Sequence, residues 1–192
     1  MFQQLLAIIR NTFFESVRQP VVLVVLVGAS LLIVLSNPLS AFTMDENQRM
    51  LIDIGLATIF MAAALLAGFI ATSVLGREIA NKTALTVISK PVGRPVFVIG
   101  KFIGVSLAMM LTTMFLFFVF MLVETHAVQE TVRDPLHMPV IVFGISAMLL
   151  GWAAAAWCNY FYNMVFTSSV IFFTTPLLLL AWLLAINFGP DF

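Results

Sequence analysis

The segment GREIANKT, residues 76–83, comes close to the phosphate-binding P-loop pattern G-x-x-x-x-G-K-[ST]. Gly76, Lys82 and Thr83 match the pattern, whereas Asn81 stands at the position of the second glycine. A P-loop follows a strand and opens a helix whose N-terminus faces the phosphates. Here the preceding residues, MAAALLAGFIATSVL, belong to an apolar span, and Asn81 adds a side chain where the backbone must approach phosphate. We therefore expect no ATP binding by this chain.

Other residues that could do chemistry are sparse. His126 and His137 share one polar loop, but no carboxylate flanks them at helical spacing, so they do not form a zinc motif. Cys158 is the only cysteine, which excludes an intrachain disulfide and a multi-cysteine metal site. Ser168 and Ser169 have no basic partner at membrane depth. The sequence predicts no catalytic residue, no metal and no cofactor on this chain, and hence no enzyme.

The composition is that of a protein embedded in a membrane. Of 192 residues, 62% are hydrophobic and only 9% are charged, and the mean hydropathy is +1.11. A soluble domain carries about 25% charged residues, because it must cover its surface with polar groups. Nine Lys and Arg residues balance nine Asp and Glu residues, so the charge gives no sign of a nucleic-acid partner. The lipid bilayer is the expected surrounding.

Five segments have the length and apolarity of spanning helices. They cover about residues 21–36, 54–75, 102–123, 140–158 and 164–187. Each is close to the ~20 residues that a helix needs to cross ~30 Å of hydrocarbon. None of the five segments has a charged residue in its interior. The nearest acidic residues, Asp53 and Glu124, lie just outside two of them. A secondary transporter or proton pump needs an ionisable group within the membrane, which argues against both classes. The predicted fold is an all-α, polytopic transmembrane helix bundle over residues 21–192.

The basic residues predict the orientation of the chain. Seven of the nine lie on the side of the N-terminus: Arg10, Arg18, Arg77, Lys82, Lys90, Arg94 and Lys101. Only Arg49 and Arg133 lie on the other side. Because cytoplasmic loops are enriched in Lys and Arg, we expect a multi-pass protein of the plasma or inner membrane with a cytoplasmic N-terminus. Five spans then leave the C-terminus outside.

Residues 1–20, MFQQLLAIIRNTFFESVRQP, form a segment of a different kind. Apolar residues recur at helical spacing and polar residues lie mainly opposite them, which predicts an amphipathic helix in the membrane interface. The apolar positions are Phe2, Leu5, Leu6, Ile9, Phe13 and Val17. Pro20 ends this helix and turns the chain into the first span. A signal peptide is the alternative, which the absence of lysine and the ~20 residues before the apolar run both disfavour.

The loop after the second span holds the densest cytoplasmic charge. Five of the nine basic residues lie between Gly76 and Lys101. We expect GREIANKTALTVIS to form a short helix along the membrane surface, KPVGRP to break it, and VFVIGKFIG to re-enter the bilayer. The alternative is a plain basic loop that sets the topology and contacts anionic lipid.

Small residues predict where the spanning helices contact one another closely. They are Gly28, Ala29 and Ser30, Ala62 to Ala64 and Gly68, Gly144, Ala147 and Gly151, and Ala153 to Ala156. In the last span, Pro176 is expected to kink the helix, with Thr174 and Thr175 available to bind the freed backbone groups.

The pattern from Glu78 to Lys101 has a family resemblance. It is E-x-x-x-K-T-x-x-x-x-x-S-K-P-V-x-R-x-x-x-x-x-G-K, and it resembles the first cytoplasmic loop of the membrane subunits of ABC transporters of the type-2 exporter class. The N-terminal IIRNTFFESVRQP resembles the elbow helix of that family, including the pair Glu15 and Arg18. The order of the spans also agrees.

The resemblance implies a function for the loop and for its neighbours. The loop between the second and third spans becomes a coupling helix that contacts a separate cytosolic ATPase subunit, which binds the ATP. The interface residues carried over are Glu78, Lys82, Thr83, Lys90, Pro91, Arg94 and Lys101, beside the elbow residues Glu15 and Arg18. The permease would act as a homodimer or heterodimer, and the substrate class stays open.

The chain departs from this family in its number of spans. Such permeases have six spans and a cytoplasmic C-terminus, whereas five spans are found here. We therefore expect a sixth span to be missing, as in a fragment or an incomplete gene product. Two alternatives to a permease are a membrane scaffold that transports nothing and a small channel-like protein.

Overall fold

The computed structural model describes residues 2–41, 47–80, 93–128 and 136–188 of the chain. These residues form six α-helices and, within the described ranges, no strand. The helices are α1 (Phe2–Val17), α2 (Pro20–Ser40), α3 (Asn47–Ala80), α4 (Arg94–His126), α5 (Met138–Tyr162) and α6 (Phe166–Asn187). The prediction of an all-α fold is confirmed.

The five helices α2 to α6 are each long and apolar enough to cross a membrane, which is the character of a multi-pass membrane protein. Each contains most or all of one predicted span. However, α3 and α4 are longer than predicted, with 34 and 33 residues. At 1.5 Å per residue each measures about 50 Å, against ~30 Å of hydrocarbon. Hydropathy marks only the apolar part of a helix, whereas its backbone hydrogen bonds continue into polar sequence.

Helix α4 lies at the centre of the fold and contacts every other helix. Its fully buried residues include Ala108 and Leu116, which belong to one apolar core together with Leu26 of α2, Ile70 of α3 and Ile171 of α6. Positions that face away from this core stay exposed and apolar, such as Phe60 and Phe102 at 72% each. An apolar surface of this kind suits contact with lipid rather than water.

One end of the bundle, which we call the proximal end, carries α1, the C-terminal end of α3, the start of α4 and the turn between α5 and α6. Three aromatic residues near the end of α5 are strongly exposed there: Trp157 at 61%, Tyr160 at 79% and Tyr162 at 70%. Trp and Tyr concentrate where the hydrocarbon meets the headgroups, because one part of each ring system is apolar and another is polar. These residues indicate the level of the membrane surface at the proximal end.

The predicted turn at Pro20 is confirmed. Helix α1 ends at Val17, Gln19 is extended with φ −70° and ψ 131°, and Pro20 opens α2. Proline suits this position because its fixed φ fits a first helical turn, where its missing N–H has no partner to lose.

Some predicted small-residue contacts occur within the chain and others do not. At Gly151 the backbone of α5 approaches α6, so that an added Cβ would lie 2.7 Å from Thr174 Cγ2. At Gly144 the nearest atom is Leu122 Cδ1, at 3.7 Å. By contrast, Gly28 and Gly68 have no described neighbouring atom within 4 Å of such a Cβ. For these two glycines the prediction of a helix contact is wrong among the described helices, because both residues face out of the bundle.

Pro176 does not interrupt α6, which continues to Asn187. The Thr174 hydroxyl donates to the carbonyl of Val170, and the Thr175 hydroxyl donates to that of Ile171 at 2.7 Å. The carbonyl freed by Pro176 is that of Phe172, four positions earlier. The two threonines therefore bind carbonyls of the same turn, but not the freed one.

Candidate functional site

Helix α1, which the resemblance predicts to be an elbow helix, lies directly against the start of α4. We call residues 2–19, which are α1 and the turn after it, the elbow region or elbow. Two glycines, Gly100 and Gly104, form the contact surface on α4 in a G-x-x-x-G spacing, which places both on one face of the helix. A Cβ at Gly100 would lie 2.8 Å from Ile8 Cγ2, and one at Gly104 would lie 2.8 Å from both the Ile9 carbonyl oxygen and Thr12 Cβ. Any larger residue at Gly104 would collide with backbone, so the close approach of the two helices requires glycine.

The buried face of α1 is formed largely by small polar residues. Thr12 and Ser16 are buried, and the Ser16 hydroxyl donates to the Thr12 carbonyl at 2.8 Å, so its polar atom is satisfied without a partner on another helix. Of the apolar positions predicted to share one face, Val17 is buried, whereas Phe2 and Leu6 are 72% and 48% exposed. Part of the apolar surface of α1 therefore faces the bundle, and part faces outwards.

Charged residues of α1 lie beside aromatic rings and beside α4. The guanidinium carbons of Arg10 and Arg18 lie 5.9 Å and 5.4 Å from the centroid of the Phe14 ring, one helical turn away on either side. The carboxylate of Glu15 attracts the ammonium group of Lys101 electrostatically, and Lys101 Nζ lies 5.1 Å from the Phe97 ring centroid. Glu15 of α1 is therefore attracted to Lys101, which is the last basic residue of the loop pattern.

The turn after α1 is tied to α3. The Gln19 side chain is only 5% exposed, and its amide nitrogen donates a hydrogen bond to the Ser73 hydroxyl. That hydroxyl in turn donates to the Ile70 carbonyl at 3.0 Å. Ser73 lies two turns before the end of α3, so the elbow region contacts the helix that leads into the loop as well as the helix that follows it.

The loop itself lies largely outside the described residues. Lys82, Thr83, Lys90 and Pro91 fall between residues 80 and 93, where the structure describes nothing. The predicted surface helix also falls there, apart from its first residues, GREIA. These residues do not begin a new helix at Gly76 as expected. They continue α3 without a break, because no proline or capping residue stops the backbone hydrogen bonding before Ala80.

Besides Lys101, two of the predicted interface residues have a described backbone position. Glu78 lies in the last turn of α3, and Arg94 is the first residue of α4, directly after the extended Gly93. Pro95 follows in the first turn of α4, where proline is favoured. The predicted break KPVGRP therefore ends at Gly93, because Arg94 and Pro95 already belong to α4, and the loop joins two long helices that both pass the elbow.

An open groove lies at the end of the bundle opposite the proximal end, which we call the distal end. It lies between the ends of α2 and α4 and the start of α5. It has a volume of about 560 Å³ and mainly apolar walls, including Val119, Ile141 and Met148. Asn37 and His126 line it as well, and the Asn37 amide donates to the Ala127 carbonyl at 2.7 Å. The Asn37 side chain thus connects the end of α2 to Ala127, the residue that follows α4.

Sequence reasoning missed the contacts that assemble the elbow with α3 and α4. The G-x-x-x-G spacing of Gly100 and Gly104 could have indicated the first of them, because this spacing is typical of close helix pairs. Nothing in the sequence pairs Gln19 with Ser73. Within the described ranges, no group of three or more His, Cys, Asp or Glu residues could hold a metal ion.

Comparisons of the chain with protein-family models, with curated proteins and with solved structures found no match. A function is therefore proposed from the loop pattern together with the geometry of α1, α3 and α4.

Proposed function

We propose that this chain is the membrane subunit of an ABC transporter of the type-2 exporter class. In this proposal the N-terminus and the loop of residues 81–92 are cytoplasmic, and a separate ATPase subunit contacts that loop. ATP is bound and hydrolysed on the ATPase, while this chain forms the path across the membrane together with a second permease subunit. The resemblance of the loop pattern from Glu78 to Lys101 motivates the assignment.

The contacts of the elbow region with α3 and α4 give the proposal a second support besides the sequence pattern. The elbow region is attached to both helices that border the loop, through Gln19 and Ser73 on one side and through Gly100 and Gly104 on the other. A plain loop that only sets the topology would need no such attachment. An ATPase that moves the loop, however, would move α3, α4 and the elbow together, because the three are joined by close contacts.

The exposed small residues support a partner in the membrane. Gly28 on α2 and Gly68 on α3 are exposed, and none of the six described helices covers them. Ala64 and Ala71 are exposed on the same helix as Gly68. Small residues allow the backbones of two helices to approach closely, so these faces suit contact with a second permease subunit, of the same or another kind.

The test of this proposal is co-purification. The genes beside that of this chain are first searched for an ABC-type ATPase, which is then expressed together with the affinity-tagged chain, and both are extracted in mild detergent. We expect the ATPase to co-purify and its ATP hydrolysis to change when the permease is present. A chain that is stable alone and binds no such ATPase would contradict the proposal and favour the membrane scaffold.

A further inference from the structure

A second groove lies at the proximal end, bordered by α1, α4 and α6. Its volume is about 400 Å³, within the range of 300–1,000 Å³ typical of small-molecule sites. Its walls include Leu6 and Phe13 of α1, Leu107, Met110 and Met114 of α4, and Phe172 of α6. Arg10 is the single charged residue among the described residues that line it.

The polarity of this groove changes along its length. Arg10 is exposed on α1, at the end of the bundle where Trp157 and Tyr160 mark the membrane surface. Leu107 and Met114 lie farther along α4, about 10 and 20 Å past Gly100 at 1.5 Å per residue. A cation therefore lies at the surface end and an apolar channel leads into the span.

The walls suit a flexible hydrocarbon chain. Met110 and Met114 are 61% and 39% exposed, and Leu107 is 44% exposed, so the apolar surface is open to an occupant. Methionine side chains are unbranched and adapt to irregular shapes. The Phe13 and Phe172 rings, with centroids 5.9 Å apart, close the side between α1 and α6.

We propose that this groove binds one acyl chain of an anionic phospholipid, whose phosphate contacts the Arg10 guanidinium. The apolar walls hold the acyl chain, and the Arg10 guanidinium binds the phosphate in a bidentate manner. An anionic lipid is favoured because its headgroup has no cation, whereas the choline ammonium of a neutral lipid offsets the phosphate charge. A basic residue near the surface favours an anionic over a neutral lipid by about fivefold. This inference goes beyond the transport proposal and does not depend on an ATPase.

Photochemical labelling of the purified chain in lipid nanodiscs tests the site. Phosphatidylglycerol or phosphatidylcholine with a diazirine in one acyl chain is added at equal trace amounts to a neutral bilayer. After illumination, mass spectrometry maps the labelled peptides. We expect labelling of the segment from Leu107 to Met114 to be about fivefold higher with phosphatidylglycerol.

Two arginine variants isolate the headgroup contact. Arg10 and Arg18 are both exposed, and both lie over the Phe14 ring, but only Arg10 lines the groove. Arg10→Gln should lower phosphatidylglycerol labelling to the level of phosphatidylcholine, whereas Arg18→Gln should leave it high. Equal losses in the two variants, or equal labelling by both lipids in the wild type, would overturn the proposed selectivity.

Two tryptophan variants isolate the acyl-chain contact. Leu107→Trp would fill the groove, whereas Val98→Trp adds the same ring at a 64% exposed position of α4 that does not line it. We expect Leu107→Trp to abolish labelling in the groove by either lipid and Val98→Trp to retain it, with both variants eluting like the wild type in size-exclusion chromatography. Unchanged labelling of the segment from Leu107 to Met114 in Leu107→Trp would refute the site.

Discussion

The side-chain amide of Gln19 donates a hydrogen bond to the hydroxyl of Ser73, which lies 54 positions later in the chain. This bond connects the turn between α1 and α2 to the last turns of α3. Because Gln19 is nearly fully buried, its amide has little access to water if the bond is lost. The position of the elbow region thus depends in part on this buried hydrogen bond between two polar side chains.

We expect Gln19→Ala to destabilise the protein by about 0.5–1.5 kcal/mol, measured by SDS titration in mixed micelles. The cost should lie at the lower end, because the Ser73 hydroxyl keeps its bond to the Ile70 carbonyl. Gln3→Ala, at an exposed position of α1, is the control. In a double-mutant cycle with Ser73→Ala, strictly additive effects would show that the bond contributes nothing.

Gly104→Ala should loosen the contact between α1 and α4, because its Cβ would lie 2.8 Å from the Ile9 carbonyl oxygen. Overpacking of this kind costs about 1–3 kcal/mol. We expect trypsin to cleave after Arg10 roughly tenfold faster, since cleavage follows local opening of α1. Gly28→Ala is a matched control, because it gains the same helix propensity in open space. Equal cleavage rates in the two variants would contradict the tight contact at Gly104.

The orientation of the chain can be measured with fused reporters. A reporter placed after Lys90 should lie in the cytoplasm, whereas one after Asn47 or Glu130 should lie outside, because seven of the nine basic residues are on the side of Lys90. An external signal at Lys90 would overturn the orientation and, with it, the contact to a cytosolic ATPase.

Glu78→Ala should weaken association with the ATPase and lower transport together, without a change in protein level or topology. Glu78 is the only acidic residue between Gly76 and Lys101. Because Lys and Arg set the orientation of a membrane protein and acidic residues contribute little, Glu78 does not determine the topology. Loss of one partner of a desolvated interfacial pair costs about 2–5 kcal/mol, against about 0–1 kcal/mol for an exposed pair. Glu130→Ala, in the loop on the opposite side, is the control. Association and hydrolysis at wild-type values would remove Glu78 from the interface.

Asn81→Gly restores the P-loop pattern in GREIANKT, and it should not create a nucleotide site. The residues before it form α3, where a P-loop requires a strand. Equilibrium dialysis with labelled ATP on the purified chain measures this directly. Saturable binding by either the wild type or the variant would show that the chain itself binds nucleotide.

The sequence predicts the spans well because lipid imposes a length and an apolar composition on each helix. Pro20 likewise marks a turn by its own backbone chemistry. Contacts between helices cannot be predicted from the local sequence in the same way. Gly28 and Gly104 are both small residues on spanning helices, yet of these two only Gly104 packs against another helix in the described part of the chain. Which face of a helix meets another helix depends on the positions of all the others, and one sequence does not contain that information locally.

The unbroken course of α4 from Arg94 through Gly104 has a mechanical consequence. A helix turns by about 100° per residue, so the angular position of Arg94 around the axis of α4 is fixed relative to the glycine face that contacts α1. One alanine inserted between Arg94 and Gly100 would rotate the loop by about 100° around the axis and leave the glycine contact in place. Under the transporter proposal, a movement that the ATPase imposes on the loop would then reach α1 from a different direction, although the contacts of Gly100 and Gly104 with α1 were kept.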